Sequence, residues 1–278
     1  MIPVALSVAG SDPSGGAGIQ ADLKTFSALG VYGTAVLTAL TAQNTRGVTG
    51  VHPVPAAFVG EQLATLLDDV TVHAAKTGML GTADVVHAVA AALAGRAAGP
   101  VVVDPVMVAT SGDRLVDDDA IAAVRDVLLP VADLVTPNVP EAAALLGVPP
   151  ATTAAELPGQ ARALLELGPR AVLLKGGHLG GADSVDVLAT PAGVRTSARP
   201  RIDTRSTHGT GCTLSSAIAA LLARRRVGSG DPTAEVAGWD DVVEGARDYL
   251  QAALAGGASL GVGSGHGPVH HFAGIWPA

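Results

Sequence analysis

Short, continuous apolar runs alternate with longer stretches of helical spacing along most of the chain, and this rhythm restricts the fold more than any single motif does. Val4 to Ala9 is apolar and ends in a glycine loop, after which Ile19 to Leu29 has helical spacing closed by Gly30. A strand at about Tyr32 to Leu40 follows, then a helix near Pro55 to Leu67, a strand near Val72 to Lys76 and a helix near Thr82 to Ala94. Strand Val101 to Asp104, a helix near Asp117 to Leu128, Leu134-Val135, a helix from Pro140, a helix near Glu156 to Leu167 and strand Ala171 to Leu174 continue the series. Strands that are apolar throughout bury both faces, so the pattern predicts a mostly parallel α/β sheet covered by helices on both sides. Ser184 to Ala189 and Val194 to Ser197 read as an antiparallel edge, and Gly256 to Gly267 as a glycine-rich loop.

No repeat, linker or composition break divides the 278 residues, so one domain over 1–278 is expected. With 48% hydrophobic residues but only 3% aromatic ones, the core must be built from Ala, Val and Leu. The formal charge of −8 argues against a nucleic-acid partner, which needs a basic face. Arg224-Arg225-Arg226 is the one basic cluster and fits a solvated helix C-terminus. Met1-Ile2-Pro3-Val4 lacks the basic start of a signal peptide, and no run approaches the roughly 18 apolar residues of a membrane span. A lone cysteine, Cys212, cannot form a disulfide within the chain, and the cytoplasm is the expected compartment.

Ligands of such sheets bind beyond the carboxyl ends of the strands. The tips carry Asp12 and Gly15–Gly18, Gln43-Asn44, Gly78-Met79, Asp104-Pro105, Asn138–Glu141 and Lys175-Gly176, and Thr207–Ser216 leads into the apolar run Ala217 to Ala223. That last stretch reads as a helix N-terminus behind two glycines, where backbone N–H groups and the dipole favour an anion. Cys212 falls in its first turn, a position expected to lower the thiol pKa from about 8.5. Asp104 and Glu141 offer hard oxygens suited to Mg2+, and Lys175 a point charge for a phosphate. His208 reads as a structural loop residue rather than as a partner of Cys212.

Other chemistries lack their parts. Gly16-Ala17-Gly18-Ile19-Gln20-Ala21 matches a dinucleotide fingerprint, but the next strand ends in Thr41-Ala42-Gln43-Asn44 without the acidic residue that would hold a ribose. Ala75-Lys76-Thr77 lacks the glycine of a Walker A loop, and no Ser-His-Asp elbow, HExxH or CxxC occurs. An anion cradle, two carboxylates, a lysine and a candidate base together suit phosphoryl transfer.

Ala9 to Asp22, Lys76 to Leu80, Asp104 to Met107, Thr136-Pro137-Asn138-x-Pro140-Glu141, Lys175 to His178 and His208 to Cys212 together resemble the hydroxymethylpyrimidine/phosphomethylpyrimidine kinases of thiamine biosynthesis, within the ribokinase-like superfamily. The resemblance implies a three-layer α/β/α sandwich and ATP- and Mg2+-dependent phosphorylation of 4-amino-5-hydroxymethyl-2-methylpyrimidine, then of its monophosphate. Gln43 presents a donor and an acceptor side by side, which fits an aminopyrimidine edge, as the matching glutamine does in the family. Gly10, Met79 and Val106 would line the ring, and Asp22 would accept from the amine or the hydroxymethyl group. Cys212 stands where most of the superfamily has an aspartate base, with Gly209, Thr210 and Gly211 as the anion hole. Lys175, Asn138 and Thr207 fall to the nucleotide, and Asp104 and Glu141 to the metal. The family also suggests a homodimer, with no membrane partner. Ser206 departs from an expected asparagine, and an inserted loop is expected over Arg224–Ala237. A pyridoxal kinase is the nearest competing enzyme, and a catalytically silent ligand-binding relative the competing reading from another class.

Overall fold

The computed structural model describes residues 1–95, 98–108, 116–229 and 238–276. Eight strands form one sheet: β1 (Val4–Ala9), β2 (Tyr32–Leu37), β5 (Ala74–Thr77), β6 (Val101–Val103), β7 (Leu134–Val135), β8 (Val172–Lys175), β9 (Asp183–Thr190) and β10 (Gly193–Pro200). Their order is β10-β9-β8-β7-β6-β5-β1-β2. All neighbours from β2 to β8 run parallel, while β9 and β10 add an antiparallel edge, as the sequence pattern predicts.

Strand periodicity sorts side chains into two cores. Leu6 and Val8 of β1 enter one, beneath α2 (Ala56–Asp69), α3 (Ala83–Ala94), α4 (Asp118–Ala123), α5 (Val139–Leu146) and α6 (Leu157–Leu165). Ala5 enters the other, with Phe26 of α1 (Gly18–Ala28) and residues of α7 (Thr210–Ser229) and α8 (Trp239–Gly256). Helices on both faces make three layers. α7 is buried almost all round from Thr213 to Ala220, which its run of Ala and Ser permits, because small side chains let it lie between α1, α8 and the sheet. Among the described residues no helix is long and apolar enough to cross a membrane.

Three sequence expectations need correction. The strand expected over Tyr32–Leu40 is two: β2 ends at Leu37, and β3 (Ala39–Asn44) pairs with β4 (Gly47–Pro53) in a separate two-stranded antiparallel sheet. The break sits at Thr38, whose N–H donates to the Ala9 carbonyl and whose hydroxyl donates to the Met79 carbonyl at 2.6 Å, turning the chain out of the sheet. Helix α8 was not expected. Two of its acidic residues, Asp240 and Asp241, occupy the first turn, but no Ser, Thr, Asn or Asp caps it; Gly238 stands there at φ 73°. The loop expected over Arg224–Ala237 is helical to Ser229, and residues 230–237 lie outside the described residues.

Candidate active site

The strand tips and the start of α7 surround a cavity of about 850 Å3. Every residue expected at the site lines it except Asp22: Gly10, Gln43, Met79, Asp104, Val106, Asn138, Glu141, Lys175, Thr207, Gly209, Thr210, Gly211 and Cys212 all do. The volume falls within the range of small-molecule sites.

On the β1 side, the first glycine loop and β3 interlock. Ser11 N–H donates to the Ala39 carbonyl at 2.9 Å, and Thr41 N–H donates back to Ser11 Oγ at 3.1 Å. This docks β3 so that Gln43 faces the cavity with its Oε1 3.1 Å from Thr41 Oγ1. The Met79 methyl packs directly over Gly10, in the space where a Cβ would stand. Asp22 is the correction here. It is fully buried below the cavity, and its oxygens are taken by Ser7 Oγ at 2.5 Å, Ser216 Oγ at 2.7 Å and Lys76 Nζ at 3.1 Å.

On the β7–β8 side, Asn138 and Glu141 cap α5 reciprocally, Asn138 Oδ1 accepting from Glu141 N–H at 2.9 Å and Glu141 Oε2 from Asn138 N–H at 2.8 Å. Lys175 N–H donates to the Pro137 carbonyl, holding the two tips together, and Lys175 Nζ reaches Asp104 Oδ1 at 3.0 Å. Burial would raise the Asp104 carboxyl, but the Lys175 and Lys76 ammonium groups bring it below its ordinary value. Glu141 goes the other way: burial, with Asp104 nearby, pushes it up to about 7 against the pull of Lys175.

The start of α7 joins the two sides. Gly209 has φ 80°, a backbone conformation that favours glycine, and a Cβ there would collide with the Gly16 carbonyl. A Cβ at Gly211 would lie 3.4 Å from Lys175 Nζ and 3.5 Å from Asp104 Oδ2. The Gly209–Gly211 turn, a cation and a carboxylate thus meet at one point. Cys212 is half-buried, and Gly18 N–H at the start of α1 points at its sulfur. The expected drop in its pKa does not occur. Burial pushes the thiol up to about 12, Asp22 and Asp104 add to the rise, and Lys76 offsets only part of it.

Sequence reading missed Lys76 as an interior cation and the guanidinium groups of Arg199, Arg201 and Arg247 at the cavity wall. Arg247 Nε pairs with Asp186 at 3.0 Å, and Asp186 accepts from Gly176 N–H at 3.0 Å, bracing the loop after β8. Arg199 and Arg201, spaced by two at the end of an edge strand, were the available signal; Arg247 lies on the unexpected helix. Among the described residues no group of three or more His, Cys, Asp or Glu side chains could hold a metal ion. Of the three carboxylates that line the cavity, Asp186 is taken by Arg247, and Asp104 and Glu141 offer hard oxygens of the kind that suits an ion which keeps waters and shares phosphate oxygens.

The family model for phosphomethylpyrimidine kinase matches residues 12–270. The chain is 52% identical over 272 residues to the hydroxymethylpyrimidine/phosphomethylpyrimidine kinase of Salmonella typhimurium, covering 98% of each. It is 50% identical over 266 residues, 96% of this chain, to a thiamine biosynthesis bifunctional protein of Geobacter sulfurreducens, of which it spans 51%. The pyridoxal kinase of Staphylococcus aureus, solved in complex with AMP-PCP and pyridoxal, superposes with a TM-score of 0.86 at 30% identity, over 99% of this chain and 95% of that one. With a model match over almost its whole length and relatives half identical to it from end to end, the chain belongs to the phosphomethylpyrimidine kinase family.

Proposed function

We propose that this chain transfers the γ-phosphoryl group of ATP first to the hydroxymethyl group of 4-amino-5-hydroxymethyl-2-methylpyrimidine and then to the resulting monophosphate, in thiamine biosynthesis. The observation that carries the reading is the convergence of the Gly209–Gly211 turn, Lys175 and Asp104 between a ring-sized wall at Gly10, Gln43, Met79 and Val106 and a second wall at Asn138 and Thr207, beside which Arg199 is held by Glu244 and Asp248 and Arg201 by backbone carbonyls. The first wall takes the aminopyrimidine, with Gln43 reading its edge. The second wall, with Asn138 and Thr207, takes the nucleotide. N–H groups of Gly209, Thr210 and Gly211 receive the oxygens of the transferring group, and Lys175 neutralises charge that develops on them.

Asp104 and Glu141 would hold Mg2+ together with the phosphates; when bound, the ion neutralises phosphate charge and orients the chain of oxygens. Cys212 is the group placed to take the hydroxyl proton. Because burial keeps its thiol protonated at neutral pH, that role requires the thiolate to form in the bound complex, where Gly18 N–H and the Lys76 ammonium favour it. The second acceptor is already an ionised phosphate and has no such need. The reading takes 1–278 as one kinase domain working in the cytoplasm as a homodimer.

The test is ADP release from ATP and Mg2+ with hydroxymethylpyrimidine, and with pyridoxal in parallel, following products by mass. Monophosphate and then diphosphate are expected. Turnover of pyridoxal alone, or of neither, defeats the reading.

A further inference from the structure

Asp12 and His208 are 196 residues apart in sequence, yet His208 Nε2 lies 2.7 Å from Asp12 Oδ2, and both side chains are buried. Neither has a part in the chemistry proposed above. The contact joins the two glycine loops that form opposing parts of the cavity.

Asp12 organises its own loop first. Oδ1 accepts from Ser14 N–H at 2.9 Å and Ser14 Oγ at 2.7 Å, and Oδ2 accepts from Gly16 N–H at 3.1 Å and Ala17 N–H at 2.8 Å. These bonds shape the turn that ends in Ala17 and Gly18, both of which line the cavity. Burial would raise the Asp12 carboxyl, but His208 and Ser14 hold it at about 2. The carboxylate is therefore ionised at neutral pH, and His208 Nε2 carries the hydrogen that it accepts.

His208 is anchored from the far side. Its N–H donates to the Gly267 carbonyl at 3.0 Å, and its carbonyl accepts from Val269 N–H at 3.4 Å. The next residue, Gly209, opens the anion-binding turn. Two steric contacts accompany the bond: a Cβ on Gly16 would strike the His208 ring, and one on Gly209 would strike the Gly16 carbonyl. The Gly16 backbone thus packs against both the His208 ring and the Gly209 position, and the bond between Asp12 and His208 adds direction to this close approach of the two loops.

We infer that Asp12 and His208 are positioning residues, a latch that fixes the acceptor loop against the anion-binding turn and so sets the alignment of phosphoryl donor and acceptor. The inference rests on the kinase reading. A buried polar contact is a poor source of stability, since an apolar pair of similar volume often does as well, but it is directional and sets register. Register is what in-line transfer needs, because a misplacement of about 1 Å can cost about 100-fold in rate. Each substrate alone needs only its own wall.

The test compares the full chain with His208→Leu and His208→Gln, the amide of glutamine reproducing the Nε2 donor. Dissociation constants for hydroxymethylpyrimidine alone and for ATP alone are measured by calorimetry, and kcat by ADP release. Expected for His208→Leu is a fall in kcat of about 30- to 100-fold with each binary constant within about threefold of the unsubstituted chain, and for His208→Gln a return of most of the lost kcat. Should His208→Leu not be recovered folded, His208→Asn, whose amide is too short to reach Asp12, takes its place. A kcat within about threefold of the parent despite a lowered melting temperature would reduce the contact to a brace and overturn the latch. So would a loss of kcat matched by weaker binding of either substrate alone. Absence of turnover in the unsubstituted chain defeats the kinase reading itself and the latch with it, and is seen before any variant is compared.

Discussion

Lys76 Nζ lies 3.1 Å from Asp22 Oδ1 and 3.2 Å from Oδ2, and neither side chain exposes any surface. With Ser7 and Ser216 on the same carboxylate, four elements, β1, α1, β5 and α7, meet through one charge pair. Asp22 raises Lys76 to about 12 although burial acts the other way, so the pair stays ionic in the interior. Ser216 is one turn along α7 from Cys212, so the network also fixes the floor beneath the thiol.

Removing one partner of such a pair leaves an uncompensated buried charge, at a cost of about 3–5 kcal/mol. Lys76→Met is expected to lower the free energy of unfolding in urea by that order. Adding Asp22→Leu removes the orphaned carboxylate, and the double variant should recover part of the loss. A single variant within about 1 kcal/mol of the parent would show that the pair is not the buried charge contact described.

The sheet was legible because β6 and Val172–Leu174 of β8 are apolar on both faces, and the strand tips followed from it. The role of Asp22 was not. In sequence it is a helical acid four residues after the glycine loop, and only the tertiary placement of Lys76, itself part of a strand-end motif, shows that it faces inward. Cys212 was located correctly, but its expected pKa weighed the helix dipole and not the loss of water, and desolvation is the larger effect. Helix α8 escaped because it lacks an N-cap side chain, and with it went Arg247.

Cys212→Ser separates the two phosphorylations. Serine keeps the volume and a hydrogen bond but is a weaker base than a thiolate, and general-base assistance is worth about 100- to 10,000-fold. The first phosphorylation is expected to slow by a factor in that range, and the second by less than about tenfold. Rates measured separately on hydroxymethylpyrimidine and on its monophosphate decide it; equal losses would remove Cys212 from the role of base.

If Glu141 holds Mg2+ as proposed, binding of the ion depends on pH. Burial holds its carboxyl at about 7, so below that pH a cation must displace its proton. The Mg2+ concentration giving half-maximal rate should rise about tenfold for each pH unit below 7 and level off above it. ATP also titrates in this region, so the comparison is with Glu141→Gln, in which the protein's share of the dependence is lost. Parallel profiles for the two proteins would place the metal elsewhere.

His271 should make the fold sensitive to mild acid. Its ring accepts or donates at Thr213 Oγ1, 3.2 Å away, on the first turn of α7, while Tyr249 OH donates to its carbonyl at 2.6 Å. Burial lowers its pKa to about 3, with Lys24, His270 and His208 adding to the effect. Between there and the unfolded value of about 6.5 the unfolded chain binds a proton that the folded chain does not, so stability falls as pH falls. The slope from this residue is about 1.4 kcal/mol per pH unit. Asp12, held at about 2, begins to withdraw its own contribution only below about pH 4, where the unfolded carboxyl protonates. From pH 6.5 to pH 4 the His271 effect therefore stands apart from that of Asp12. His271→Gln keeps a polar group opposite Thr213 but cannot take up the proton. Urea unfolding at pH 7, 6 and 5 should show the parent's stability falling relative to the variant's by about one proton's worth of slope, the opposing slope of Glu141 being common to both, and equal slopes would mean that His271 already binds its proton in the folded chain.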